Sequence, residues 1–559
     1  VRFMRILIVG GVAGGASCAT RARRLSEEAE IIIFERGAFI SFANCGLPYY
    51  VGDVIGEEKQ LFMASPRFLK QRFNIDVRTE NEVIAIDRKK NELEVKDLKT
   101  GKVYREKYDA LVLAPGATPI RPPLPGIDTP GIFSLRTIPD SRQIREWIVE
   151  HDVKQAVIVG GGFIGLEMAE NLARRGISVT IVEMEPQVVP MLDPEMAVPV
   201  QGHLSASGVR LYLGSAVSSF EKNSEGKIIV RLESGETHAA DLVLLSLGVR
   251  PEVGLAKAAG LEIGTYGGIR VNDQMRTSDE RIFAVGDAVE VRDFITGEWA
   301  LVPLAGPANR QGRLAADVIF GRDAKFRGVQ ATAVCGVFGM TIASTGASEK
   351  RLRRAALSGQ AIPYEKVYLH PTQHASYYPG AEPMALKLIF SPEDGHILGA
   401  QAVGKEGVEK RIDVIAMAIQ RRSTVFDLEE AELGYSPQFG AAKDPVNLAG
   451  MVAANVLRGD APIAHWEDVA ESEALILDVR TAGEVAIASV KGAVTIPLDE
   501  LRSRMAELPR DREVWVFCDA GHRSYYATRT LRLNGFNARN ISGGMRTYNA
   551  VKQIGKGGG

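Results

Sequence analysis

The sequence predicts an α/β protein in which one strand–turn–helix–strand unit occurs twice. A mixed α+β segment and a small α/β domain follow. Three observations carry this. Residues 5–35 and 155–183 read alike: an apolar strand, a glycine-rich turn, a helix, a second apolar strand and an acid. After Ala331 the chain shows apolar strands (384–390, 397–403) and a helix (408–421) without such a turn. Beyond Asp460-Ala-Pro462, strands at 475–479 and 513–517 alternate with helices at 500–507 and 525–534. At 559 residues the chain has room for three to four domains of about 150 residues each.

Composition narrows the class further. Lys and Arg number 67 and Asp and Glu 69, for a net charge of −2, which excludes a dominant basic surface for nucleic acid or an anionic membrane. No apolar run approaches the roughly 20 residues that span a bilayer, and no export signal is read at the start. A cytoplasmic protein with reduced thiols is expected, and the residues before Met4 and Gly557-Gly558-Gly559 read as frayed ends. The four cysteines, Cys18, Cys45, Cys335 and Cys518, are too scattered for a disulfide scaffold or a four-cysteine zinc site. His370 and His374 have a metal-compatible spacing but no convergent partners, so no metal is expected.

Each glycine turn opens a helix whose backbone N–H groups and positive end suit a pyrophosphate. The second copy is complete: Gly160, Gly162 and Gly165, with Glu183 about 20 residues on to take a ribose hydroxyl pair. Met184 and Glu185 follow, with no Arg or Lys for a 2′-phosphate, so NADH is favoured over NADPH. The first copy keeps Gly10 and Gly15 and ends in Glu35, but Val12 stands at the second glycine position. A buried strand closing in Gly286-Asp287 and a companion strand leading to Gly116-Ala-Thr-Pro119 complete two Rossmann-like folds.

With these motifs in place, residues 4 to about 450 resemble the flavin-dependent pyridine nucleotide–disulfide oxidoreductases, and within them the coenzyme A disulfide reductase group. Ser41-Phe-Ala-Asn-Cys45-Gly-Leu-Pro-Tyr-Tyr50 and Tyr435-Ser-Pro-Gln-Phe-Gly-Ala-Ala-Lys443-Asp-Pro-Val-Asn447 carry the resemblance. It implies an FAD-binding domain (1–112 and 276–330), an NAD-binding domain with connecting segments (113–275) and a dimerisation domain (331–455). It implies FAD at Gly10, Gly15, Glu35 and Asp287, and NAD at Gly160, Gly162, Phe163, Gly165 and Glu183. Phe163 matches an aromatic that covers the flavin until the nicotinamide enters. Coenzyme A would be held by Ser17, Arg21, Arg24, Ser41, Asn44, Arg72, Asn309, Arg310 and Lys443, although Asn309 stands where the family often has histidine. Tyr377 and Tyr435 match tyrosines that reach the sulfur centre from the other subunit of a homodimer.

Cys45 is then the redox centre. Dithiol relatives carry a second cysteine five positions away, but here positions 40 and 50 are Ile and Tyr. One thiol must cycle with an external one as a mixed disulfide or persulfide. A helix start and the flavin are expected to lower its pKa. Peroxidase and oxidase relatives carry a histidine in the first glycine turn, where this chain has Ala13, which argues against peroxide.

Residues 464–559 contain a second resemblance, to rhodanese, in Val514-Trp-Val-Phe-Cys518-Asp-Ala-Gly521-His-Arg523-Ser524, Asp478-Val-Arg480, Glu484 and Gly492-Ala-Val-Thr-Ile-Pro497. A cysteine leaving a strand into a tight loop sits among inward N–H groups that stabilise a thiolate or persulfide. Cys518 and Arg523 are the expected catalytic residues of that loop. Asp519, where a basic residue is common, is expected to oppose the thiolate and repel thiosulfate. The combined reading is a homodimeric, FAD- and coenzyme A-dependent NADH reductase of persulfide, polysulfide or sulfur. Coenzyme A disulfide reduction for thiol balance, NADH oxidation by oxygen, and a sensing scaffold are the rival readings. Cys18 and Cys335 are expected to be packing residues.

Overall fold

The computed structural model describes Met4–Lys556, the side chains of the last two of these excepted; the expected frayed ends lie outside the described residues. The chain forms two compact units, one running through Met184 and resuming over Ser215–Ala331, the other comprising Glu185–Gly214 and everything from Thr332.

In the first unit a parallel sheet runs Ile282–Ala284, Ala110–Leu113, Arg5–Val9, Glu30–Glu35, Asp76–Thr79. Its strands are apolar throughout because both faces are covered: Ile6, Leu7 and Ile8 are fully buried. The chain crosses from one side of Arg5–Val9 to the other, and that reversal leaves a crevice at the strands' carboxyl ends. The repeat builds a second parallel sheet with Ser178–Val182, Gln155–Val159, Leu242–Leu245 and Ile132–Ser134 in that order. Two three-stranded antiparallel sheets also occur here, 81–107 and 217–240, which the sequence reading left undescribed.

In the second unit an antiparallel sheet runs Ala333–Val337, Met340–Gly346, Ile397–Gly404, Ala385–Phe390, Glu365–Leu369. Helices Val408–Gln420 and Pro445–Leu457 follow it in the chain. The stretch 113–275 is therefore not one body: its 185–214 segment carries the helix Pro194–Ala206, which packs on this sheet. The reason is electrostatic. Lys387 is wholly buried on the strand Ala385–Phe390, and its ammonium meets Asp193 (2.8 Å), Glu195 and Glu349. Burial alone would lower its pKa, but the three carboxylates more than offset that and hold it above its usual value. Cys18 and Cys335 are buried, as expected of packing residues.

The C-terminal domain is a parallel sheet in the order Ile463–Ala464, Ala538–Ile541, Val514–Phe517, Leu475–Asp478, Val494–Thr495. The helix expected at 525–534 begins earlier, at His522, because Gly521 takes a left-handed φ of +94° and the helix starts directly after it. The helix expected at 500–507 is only Leu501–Arg504 between two 3-10 turns; Pro509 holds Leu508 in an extended conformation and ends it. Among the described residues no helix is long and apolar enough to cross a membrane.

Candidate active site

The crevice of the first sheet is a cleft of about 460 Å³ lined by the first glycine turn, Glu35, Asn44, Arg136 and Asp287 among others. Gly10 has φ +94°, and a Cβ there would lie 2.1 Å from the Ala114 carbonyl oxygen. A Cβ at Gly15 would lie 1.9 Å from the Gly10 oxygen, so the helix Ala13–Arg23 sits directly on its strand. That helix has no acidic residue in its first turn and no side-chain cap, which leaves its N–H groups facing the cleft. The arrangement fits the diphosphate of a dinucleotide, and Val12 does not obstruct it.

Glu35 folds back on the turn and accepts from the backbone N–H groups of Gly11 (3.0 Å) and Gly37 (2.8 Å). Glu183 does the same in the second copy, accepting from Gly161 at 2.6 Å. There Gly160 (φ +111°) and Gly165 are locked by close backbone contacts, whereas a Cβ at Gly162 would meet open space. That space lies at the start of the helix Phe163–Arg174, where a second diphosphate fits. Phe163 is half-buried at the same helix start.

Asp287 stands in the cleft at the end of its strand. Burial raises its pKa, and Arg136 partly offsets the effect. Sequence reasoning missed Arg136; its position after a short strand carried no motif. It also missed Glu167, one helical turn beyond Phe163. Burial lifts the Glu167 carboxyl to about 7, with Glu170 adding to the rise, and a hydrogen bond from the Tyr49 hydroxyl (3.3 Å) opposes it.

Cys45 is exposed in the 3-10 turn Asn44–Gly46, which Gly46 closes by donating to Ala43 (2.9 Å). The loop is tied to the first glycine turn, because Ser41 N–H donates to the Gly11 carbonyl at 2.9 Å. Ser41 itself has a left-handed φ of +48°. The expected lowering of the Cys45 pKa does not hold for these residues. Desolvation by the surrounding protein raises it, and the carboxylates of Glu167 and Asp287 raise it further; only a backbone N–H works the other way. The helix Leu47–Val51 is too short to supply a strong dipole, and its second residue, Pro48, has no N–H.

The residues expected around coenzyme A are partly brought together. Ser17 Oγ donates to Asn309 Oδ1 across the helices Ala13–Arg23 and Ala305–Ile319. Arg21 departs from expectation: its guanidinium holds Asp317 through two bonds (2.7 and 3.0 Å) on that same helix. Its charge is therefore already paired, unlike a phosphate-seeking arginine. Arg24 is exposed at the helix end, Arg72 lies over the Phe68 ring at 5.1 Å, and exposed Arg310 lies over Phe326 at 5.5 Å. In the second unit Lys443 is exposed, and Tyr377 and Tyr435 are exposed with their hydroxyls 2.7 Å apart.

Cys518 is buried at the end of Val514–Phe517. Its sulfur accepts from Gly521 N–H (3.2 Å) and Ser524 Oγ (3.4 Å), so one backbone donor and one hydroxyl form the cradle. The sequence motif assigns Ser524 no role; the fold makes its hydroxyl a donor to the sulfur. Arg523 is gripped by Glu484 (2.6 and 2.8 Å), whose carboxyl this pairing lowers to about 2. Asp519, expected to oppose the thiolate, is paired with Arg546 Nε at 2.9 Å, which reduces that repulsion. His370 and His374 have protein partners, Thr547 Oγ1 (3.1 Å) and the Tyr378 carbonyl (3.3 Å).

Residues 4–312 match the pyridine nucleotide-disulphide oxidoreductase family model, residues 332–444 the dimerisation domain of that family, and residues 463–550 the rhodanese-like domain. The chain is 38% identical over 447 residues to a protein of Methanocaldococcus jannaschii named NADH oxidase, covering 80% of this chain and 98% of that one. It is 34% identical over 450 residues to a coenzyme A disulfide reductase of Staphylococcus haemolyticus, covering 80% and 99%. Among solved structures it is similar to reduced Bacillus anthracis CoADR-RHD (TM-score 0.96, 45% identity, 99% of each chain). It is also similar to a NAD-dependent persulfide reductase from A. fulgidus (TM-score 0.90, 37% identity, 98% of this chain and 100% of that one). With two repeated dinucleotide turns, a lone thiol beside the first and a rhodanese-like loop at Cys518, the chain belongs to the pyridine nucleotide-disulphide oxidoreductase family, extended by a rhodanese-like domain.

Proposed function

We propose that the protein is an NADH-dependent flavoprotein reductase of coenzyme A persulfide, and through it of polysulfide or sulfur, releasing hydrogen sulfide. One observation carries this reading: a single chain holds one thiol outside any disulfide beside a dinucleotide cleft and a second whose sulfur accepts from Gly521 N–H and Ser524 Oγ. The net reaction is persulfide plus NADH plus a proton giving thiol, hydrogen sulfide and NAD. When bound, FAD supplies the two-electron link between nicotinamide and sulfur.

The chain's residues have distinct tasks. The glycine turns bind the two diphosphates, and Glu35 and Glu183 take ribose hydroxyls. Glu183 repels a 2′-phosphate, so NADH is preferred. Asp287 and Arg136 position polar groups of the flavin side chain. Cys45 attacks the coenzyme A-bound sulfur as a thiolate, hydrosulfide leaves, and a mixed disulfide is left for reduction. Ser17, Arg24, Ser41, Asn44, Arg72, Asn309, Arg310 and Lys443 hold coenzyme A, with Arg21 bracing the Ser17–Asn309 pair through Asp317. In a homodimer Tyr377 and Tyr435 donate to the leaving thiolate at the other copy's Cys45. Cys518 accepts sulfane sulfur in its cradle, and Arg523, fixed by Glu484, keeps that loop in shape. A chemistry that cycles Cys45 and Cys518 through thiol and persulfide suits the reducing cytoplasm.

The test is NADH oxidation and sulfide release with coenzyme A persulfide and with polysulfide. Cys45→Ser is expected to abolish both. Cys518→Ser is expected to spare reduction of preformed coenzyme A persulfide and to slow reduction of polysulfide. Unchanged polysulfide turnover in Cys518→Ser would overturn the relay. A higher kcat/KM for coenzyme A disulfide than for the persulfide would favour thiol balance instead. The relative named NADH oxidase makes oxygen uptake without a sulfur acceptor the second measurement.

A further inference from the structure

The antiparallel domain and the rhodanese-like domain meet inside the second unit, and the contact runs to the base of the Cys518 loop. The closing helix Gly544–Lys556 begins directly beneath that loop. Met545 N–H donates to the Cys518 carbonyl (2.8 Å) and Arg546 N–H to the Asp519 carbonyl (3.0 Å). The approach is close enough that a Cβ at Gly544 would lie 2.4 Å from the Cys518 oxygen. The turn before the helix is held from the other domain, because Tyr368 N–H donates to Ser542 Oγ at 2.9 Å.

His370 stands two residues further along. Its Nε2 is 3.1 Å from Thr547 Oγ1, in the first turn of the closing helix. The charged groups facing it are Asp519 and Arg546, themselves paired at 2.9 Å, and the Gly543 backbone also bonds the ring. Burial, helped by the Arg546 charge, lowers the His370 pKa to about 4, so near neutral pH the ring is an uncharged hydrogen-bonding group. His370 touches neither sulfur nor nucleotide.

We infer that His370, a residue of the antiparallel domain, is a positioning residue for the sulfur-carrying loop of the rhodanese-like domain, acting through Thr547 and the first turn of the closing helix. Its bond fixes the helix start; the helix start fixes the Cys518 and Asp519 carbonyls; those carbonyls set where Gly521 N–H and Ser524 Oγ meet the sulfur. This goes beyond the assignment of Cys518 as carrier, although it rests on that reading for its biological meaning.

The experiment reads Cys518 directly and needs no turnover. The FAD-loaded full-length protein is treated with iodoacetamide across a pH series, and separately with inorganic polysulfide. Modification of Cys518 is followed by peptide-resolved mass spectrometry, which separates it from Cys45. NADH bleaching of the flavin checks that each variant is folded. His370→Ala is expected to slow sulfur loading of Cys518 roughly three- to tenfold, the worth of one hydrogen bond, and to move the midpoint of its alkylation profile. His370→Gln, which can still reach Thr547, is expected to recover most of the loss. Thr547→Val approaches the same bond from the other side and is expected to match His370→Ala, with the double variant no worse than either. Wild-type loading and alkylation in both single variants, or additive losses in the double, would overturn the proposal. Failure of polysulfide turnover with Cys518 loading intact would count against the functional reading alone.

Discussion

The sulfur of Cys45 faces two carboxylates, and both oppose its ionisation. Glu167 titrates near neutrality, at about 7. Below that pH it is protonated and leaves the sulfur alone; above it, its charge holds the thiol up. Glu167→Gln is therefore expected to speed alkylation of Cys45 above about pH 7 and to change little below it. Equal rates for the two proteins at pH 8 would refute that. Cys45 itself was legible because its motif is contiguous, and so was the Cys518 loop. Glu167 was not: its importance comes from a fold that brings the helix after the second glycine turn to a loop near the start of the chain. The same holds for Asp317 under Arg21, Arg546 beside Asp519, and Arg136 with Asp287 in the first cleft. Each is a pair set by tertiary contact, invisible to spacing.

The two glycine turns show how far local pattern reaches at the level of the element. Gly165 and Gly162 look equivalent in sequence, yet a Cβ at Gly165 would lie 2.1 Å from the Gly160 oxygen while one at Gly162 would meet nothing within 4 Å. Gly165→Ala should then lower the thermal midpoint and flavin retention together. Gly162→Ala should melt normally and raise KM for NADH roughly tenfold, as if one bond to a charged group were lost. A normal melt for Gly165→Ala, read by calorimetry, would contradict the packing. The βαβ units were legible because strand, turn, helix and acid are consecutive. The antiparallel sheets at 81–107 and 217–240 were not legible, although Gly101 and Gly226 mark turns in them, because their strands are largely half-exposed and polar rather than continuous apolar runs. The packing of the helix Pro194–Ala206 lay hidden for a different reason: Asp193 and Glu195 at its start meet Lys387, far along the chain.

At the scale of the whole molecule the second unit's stability should depend on charge. Lys387→Ala strands three acids in the core and is expected to cost about 3–5 kcal/mol, measured by urea denaturation. Lys387→Met, which fills the space but not the charge, should not restore it. Acid should act by two routes. Glu349 is held at about 2 against 4.5, because Lys387 and Lys366 outweigh its burial; its contribution is present above about pH 4.5 and is lost as pH falls toward 2. His370 is held at about 4 against 6.5, so its contribution is present above about 6.5 and declines between 6.5 and 4 as the unfolded chain gains a proton the folded one refuses. A melt series from pH 8 to 4 should show the earlier decline in the wild type and not in His370→Gln.

The strand Glu365–Leu369 contributes to more than its own sheet. Lys366 bridges Glu349 to Glu467, Glu365 meets His465 at 2.9 Å, and Tyr368 holds Ser542. The two domains share side chains as well as a linker. A chain ended at Gly459 would not be the reductase left intact. It would be a reductase with an unfinished edge, since Glu365 would lose His465, the Tyr368 N–H would lose Ser542 and Lys366 would lose Glu467. Recombination can add a domain at a linker; once side chains have been exchanged across the join, the same linker no longer marks a place where the molecule can be taken apart.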